Sequence, residues 1–235
     1  MKTALDIEHM EITVSAGKVK LAGDLSLPDR AAGVVIFAHG SGSSRRSPRN
    51  RRVAGALNQD AIATVLIDLL TEEEEAVDLR TAELRFDIDL LVRCLAAITD
   101  WVGVQPALTS LGIGYFGAST GAAAALAAAA ERPRAVRAVV SRGGRPDLAG
   151  PALGQVLAPC LFIVGGDDSV VLALNRAAIA NLPPATERRL EIIPGATHLF
   201  EEPGALDRVA DLARNWFQKH LNAGPAGGDM IPAVS

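Results

Sequence analysis

The sequence predicts a doubly wound α/β fold: a mostly parallel sheet, entered through an antiparallel N-terminal hairpin, with helices on both faces. Three observations predict it. Short runs of β-branched and aromatic residues recur along the 235-residue chain, each too apolar to lie half-exposed. Stretches with helical spacing of apolar residues separate these runs. Strands joined through helices lie parallel, and their right-handed crossovers place helices on both sides of the sheet.

Taken in order, residues 11–15 and 18–26 alternate polar and apolar side chains around a turn-like break at Ala16-Gly17, the pattern of a hairpin. Runs 33–38, 63–68, 111–116, 136–140 and 160–164 read as strands buried on both faces, and 189–193 reads as a last strand. Helical patterns cover 51–59, 79–101, 121–132, 172–181 and 205–221. Glu72-Glu73-Glu74-Glu75, after the fourth strand, is expected to be a solvated, mobile loop. Residues 1–221 are expected to form one domain, and 222–235, rich in Gly, Pro and Ala, a loose tail.

Composition removes several classes of function. A net charge of −4 leaves no basic footprint for nucleic acid, and 4% aromatic residues offer no stacking platform for single strands. No apolar run approaches the roughly 18 residues of a membrane span. The first ten residues carry acidic side chains and no long apolar segment, so a cytoplasmic location is expected. Cys94 and Cys160 each sit inside an apolar run and read as buried small hydrophobes. His9, His39, His198 and His220 are too scattered for a zinc motif, and no metal or other cofactor is expected. Gly112 to Gly117 spells G-x-G-x-x-G, but its glycines run through a strand instead of opening the turn after one.

The most informative stretch is Gly117-Ala118-Ser119-Thr120-Gly121, between a strand and an alanine-rich helix. Strand, G-x-S-x-G, helix is the sequence form of a nucleophile elbow, which pushes a serine hydroxyl out above the strand ends. A serine hydroxyl attacks only when a base takes its proton and an acid orients that base. Asp167 and Asp168 follow the strand 160–164, and His198 follows the last strand. Strand ends are where such groups belong in this architecture.

With His39-Gly40-Ser41-Gly42, the elbow, Gly165-Gly166-Asp167-Asp168 and Gly195-Ala196-Thr197-His198 in place, the chain resembles the α/β-hydrolase superfamily over nearly its whole length. It is most similar to the dienelactone-hydrolase-like branch. The family's Gly-x-x-Asp pattern selects Asp168 over Asp167. Dienelactone hydrolase itself carries a cysteine nucleophile, where this elbow has Ser119, which favours ordinary ester hydrolysis. No insertion is long enough to form a large cap.

The resemblance implies an oxyanion hole from the amides of Thr120 and Ser41, two donors aimed at developing negative charge. His39 reads as a structural histidine bonding the loop backbone. Arginines in the loops flanking the nucleophile strand are candidates for holding an anionic group on the substrate: Arg142 and Arg145 first, then Arg45 and Arg46. The resulting expectation is a serine hydrolase of small carboxylic esters or lactones, with Ser119, His198 and Asp168 as nucleophile, base and acid, and a small-molecule ester as its partner. Thioester hydrolysis and acyl transfer use the same residues. A non-catalytic binding or interaction module on this fold is the alternative from another class.

Overall fold

The computed structural model describes residues 5–221, so the tail expected over 222–235 lies outside the described residues. β1 (Ile7–Ala16) and β2 (Val19–Pro28) form the hairpin, antiparallel from Ile7 opposite Pro28 to Ala16 opposite Val19. Gly17 closes it at φ +62°, a left-handed value that glycine adopts without a Cβ clash. There follow β3 (Gly33–Ala38), β4 (Ile62–Ile67), β5 (Gly112–Ala118), β6 (Val136–Arg142), β7 (Cys160–Gly165) and β8 (Arg188–Ile193). The eight strands make one sheet in the order β1-β2-β4-β3-β5-β6-β7-β8. β2 meets β4 antiparallel, and every pairing from β4 across to β8 is parallel.

Burial on both faces follows from the strand period of two. Val34, Ile36 and Ala38 enter one core, while Val35 and Phe37 enter the other. α1 (Pro48–Asn58) and α6 (Ala205–Leu221) cover the Phe37 face; α3 (Ile88–Val104), α4 (Thr120–Glu131) and α5 (Ser169–Ala180) cover the Val34 face. α4 is buried almost all round, since ten of its twelve residues are buried. Alanine suits it, combining the best helix propensity with a cross-section small enough for close approach to β5 and α3.

Two expectations change. The single helix expected over 79–101 is three elements: α2 (Glu72–Thr81), a 3-10 turn (Leu84–Phe86) and α3. Ala82, left-handed at φ 57°, ends α2, and Asp87 starts α3 by accepting the Leu90 N–H. The four glutamates are the first turn of α2 and not a loop. The Thr71 hydroxyl accepts the Glu74 N–H at 3.2 Å and the Glu74 carboxylate accepts the Thr71 N–H at 2.8 Å. This capping box, with acidic residues at the positive end of the helix dipole, outweighs their mutual repulsion. A further 3-10 segment, Pro146–Gln155, lies where the sequence showed no element.

Candidate active site

The C-terminal ends of β3, β5, β6, β7 and β8 share one edge of the sheet, and the loops beyond them carry the candidate residues. Ser119 lies between β5 and α4 at φ 50°, ψ −122°, a strained backbone for a non-glycine residue. The turn is tight because its flanks have no side chains. A Cβ on Gly117 would lie 2.4 Å from the Ala122 Cα, and one on Gly121 would lie 2.2 Å from the Ala38 carbonyl oxygen. The Ser119 carbonyl accepts the N–H of Ala122 at 3.1 Å and that of Arg145 at 3.0 Å, tying the elbow to the loop after β6.

Asp168 ends the loop after β7 and caps α5. Its Oδ1 accepts the Val171 N–H at 3.4 Å, while its Oδ2 accepts the Nδ1–H of His198 at 2.7 Å. Helix capping and histidine orientation therefore use different oxygens of one carboxylate. Asp167 is exposed, and its N–H is bonded to the Ala196 carbonyl at 3.0 Å. With Nδ1 donating, the His198 Nε2 is left with its lone pair, the arrangement a general base needs. The His198 loop is held at both ends: Thr197 donates its N–H and hydroxyl to Glu202 Oε1 at 3.0 and 2.6 Å, and the Phe200 ring is buried. Those bonds also hold the Glu202 carboxyl below its ordinary pKa. A Cβ on Gly143 would lie 3.5 Å from His198 Cε1, and the Ser119 N–H donates to the Arg142 carbonyl at 3.3 Å. The end of β6 thus contacts the serine on one side and the histidine on the other.

On the β3 side, the Nδ1–H of His39 donates to the Gly40 carbonyl at 3.0 Å and Nε2 accepts the Leu69 N–H at 3.0 Å. These partners fix the neutral tautomer, and burial pushes the pKa below its ordinary 6.5. Both ring nitrogens serve the backbone, as the sequence reading expected of this residue. Ser41 donates its N–H to the Thr120 Oγ1 at 3.1 Å, and the two hydroxyl oxygens lie 3.2 Å apart. Beside them opens a small cleft with Leu70, Leu79 and Leu91 among its walls.

The candidate arginines separate by their partners. Arg45 pairs with Asp68, to which its N–H also donates at 2.7 Å, and its Nε lies 3.5 Å from Asp24. Arg145 donates to Asp147 at 2.8 Å, and Arg46 is exposed. Arg142 is buried at 7% exposure and pairs with no carboxylate among the described residues. It donates to Asn50 Oδ1 at 3.3 Å, lies 5.9 Å above the Phe200 ring, and leaves Nε without a partner. Burial and the neighbouring Arg49 push its pKa down to about 10, still far above neutrality.

Sequence reasoning missed Arg85 and Asp78, which line the cleft. Arg85 donates Nε to the buried Asp78 carboxylate at 2.6 Å and its backbone N–H at 2.9 Å. Burial would raise the Asp78 pKa, but these bonds and the guanidinium charge outweigh it and hold the group ionised. The two residues are seven apart across a helix end, a pairing that no sequence pattern marks.

An eight-stranded mixed sheet with a strand–serine–helix elbow at its centre is the architecture of an α/β-hydrolase. A dienelactone hydrolase from Anabaena variabilis is 59% identical, with a TM-score of 0.89, over 92% of this chain and 99% of that one. The chain belongs to the dienelactone hydrolase family. Est1E from Butyrivibrio proteoclasticus shares the fold at 15% identity and a TM-score of 0.74, over 89% of this chain and 98% of its own. Two Mycobacterium tuberculosis proteins, provisionally named phosphoribosyl transferases, are 56% identical over 218 residues, 92% of this chain. The match covers 48% of each, so the chain spans about half the length of these curated relatives. No family model matches the chain. Among the described residues no helix is long and apolar enough to cross a membrane.

Proposed function

We propose that the chain is a serine hydrolase of small carboxylic esters or lactones, working through an acyl-enzyme on Ser119. The observation that carries this is the 2.7 Å bond between His198 and Asp168, beside a serine on a strained elbow. Ser119 Oγ attacks the ester carbonyl carbon while the His198 Nε2 takes the hydroxyl proton. Asp168 holds the imidazole in the needed tautomer and stabilises its charged form. The amides of Thr120 and Ser41 receive the oxyanion; each such donor is worth about 3 kcal/mol. His198 then returns the proton to the departing alkoxide oxygen. Water, deprotonated by the same nitrogen, attacks the acyl carbon; the Ser119 oxygen then leaves, taking that proton back from His198, and the carboxylic acid departs.

The cleft beside Ser41 and Thr120 sets Leu70, Leu79 and Leu91 next to the charged pair of Arg85 and Asp78, which suits a substrate carrying an apolar group beside polar atoms. Of the four candidate arginines, Arg142 is the one with spare charge for an anionic substituent, since Arg45 and Arg145 have carboxylate partners and Arg46 stands out in solvent. An acyl-enzyme also serves thioester hydrolysis or acyl transfer, depending on which nucleophile resolves it. The named activity of the M. tuberculosis relatives covers proteins about twice as long as the match.

The deciding experiment is turnover of a short-chain chromogenic ester by wild type and Ser119→Ala, with fluorophosphonate labelling located by mass spectrometry. Turnover falls by more than about a thousandfold in the variant, and the label sits on Ser119. A folded wild type with neither turnover nor label overturns the hydrolase and puts the binding module in its place.

A further inference from the structure

The amide that should receive the oxyanion from the β3 side already has an acceptor. Ser41 and Thr120 are 79 residues apart, yet the Ser41 N–H donates to Thr120 Oγ1 at 3.1 Å. The Ser41 and Thr120 hydroxyl oxygens lie 3.2 Å apart, so the same two residues are joined twice. Thr120 is 3% exposed, and its hydroxyl, having accepted the amide, has Ser41 Oγ within reach for its own proton. Ser41 sits between Gly40 and Gly42, the latter at φ +63°, in a loop whose backbone has little intrinsic stiffness.

We propose that the Thr120 side chain is a positioning group for the oxyanion hole, holding the Ser41 amide turned toward the elbow until negative charge develops on the substrate. The proposal rests on the acyl-enzyme reading above and concerns the Thr120 hydroxyl, not its amide. A neutral ester carbonyl is no better an acceptor than the threonine hydroxyl, so it gains little by displacing it. An oxyanion accepts a hydrogen bond roughly twice as strong as a neutral oxygen does, and it draws the Ser41 N–H away. The bond to Thr120 is given up in the transition state, so the threonine contributes the orientation of the donor, held in place before charge develops, and not the strength of its bond to the oxyanion. The same bond keeps the glycine-flanked loop in register while the site is empty.

Thr120→Val keeps the shape and removes the acceptor; Thr120→Ser keeps the acceptor. The valine variant is expected to lose about ten- to a hundredfold in kcat with no rise in KM, and the serine variant to recover most of that loss. Inhibition by a trifluoromethyl ketone, which forms an oxyanion on Ser119, weakens in step with kcat. Exchange of the Ser41 amide proton, followed by NMR, is about tenfold faster in Thr120→Val than in wild type or Thr120→Ser. Where valine disturbs folding, Thr120→Ala against Thr120→Ser gives the same comparison. Fluorophosphonate labelling separates the two readings. A wild type that does not label overturns both. A wild type that labels, beside a Thr120→Val protein with undiminished kcat or an equally protected Ser41 amide, overturns the positioning role alone.

Discussion

Asp168 and His198 lie 30 residues apart, at the ends of adjacent parallel strands, and the imidazole Nδ1–H donates to the carboxylate at 2.7 Å. The other oxygen of Asp168 caps α5 through the Val171 N–H. Asparagine caps a helix about as well as aspartate, but as an amide it does not enforce the same histidine tautomer. Asp168→Asn is therefore expected to lower kcat by about a thousandfold or more while moving stability by less than about 1 kcal/mol. Ester turnover and urea unfolding of the same preparation check both halves. A rate loss matched by equal destabilisation would reduce Asp168 to a capping residue.

Gly121 opens α4 where that helix passes under the end of β3. An added Cβ would meet the Ala38 and His39 carbonyl oxygens at 2.2 and 2.4 Å, and these are backbone atoms that have nowhere to go. Gly121→Ala is expected to cost about 3 kcal/mol or more, read as a lowered urea midpoint or loss of soluble protein. Gly55, exposed in the middle of α1, has nothing within 4 Å of its own added Cβ. Gly55→Ala should stabilise by about 0.5–1 kcal/mol, which makes it the control for alanine substitution as such.

The buried His39 gives the fold a pH dependence whose sign is fixed. Its folded pKa lies below the ordinary 6.5, because burial penalises the charged ring and Leu69 needs the Nε2 lone pair. Above pH 6.5 neither the folded nor the unfolded state carries the proton. As pH falls through 6.5 the unfolded state binds it first, so this contribution to stability declines from there down to the folded pKa. His39→Gln is expected to remove that part of the decline and to lower stability at pH 8 by about 1–2 kcal/mol through lost backbone bonds. Urea unfolding of both proteins from about pH 5 to pH 8 gives the difference directly.

The elbow was legible because its causes are local: a buried strand, glycines at 117 and 121, and an alanine helix all lie within about twenty residues of Ser119. Parallel strands followed from the βαβ pattern, but the expectation that the loops after β3 and β6 flank Ser119 came from the family resemblance, and the observed strand order has them there. Choosing Asp168 over its neighbour took the family resemblance, since the two aspartates are equivalent in composition. The start of α2 carries a local signal, Thr71 and Glu74 at capping-box spacing, which reading the four glutamates as a solvated charge run leaves out. The pairing of Arg45 with Asp68 was not legible because it depends on which loops the folded sheet brings together, and that of Arg85 with Asp78 because no sequence pattern marks a seven-residue spacing across a helix end. The sequence placed Arg142 and Arg145 ahead of Arg45 and Arg46, and burial together with the partners each one finds now sets Arg142 apart.

Arg142 is the arginine that burial singles out. Its guanidinium has Asn50 on one side and the Phe200 ring on the other, and no carboxylate among the described residues balances it. A buried charge without a counter-ion costs several kcal/mol, and replacing it with an apolar side chain of similar length is often neutral or stabilising. Arg142→Met keeps an unbranched stem over Phe200 and removes the charge. Its thermal midpoint is expected to stay level or rise. If the charge is kept for an anionic substituent, the ratio of kcat/KM for a carboxylate-bearing ester over its neutral counterpart falls by about tenfold or more, the loss of one charge-assisted hydrogen bond. Measuring the ratio, and not either rate alone, cancels any displacement of His198 through Phe200. A ratio within about twofold of wild type would show that Arg142 acts only on the packing of the His198 loop.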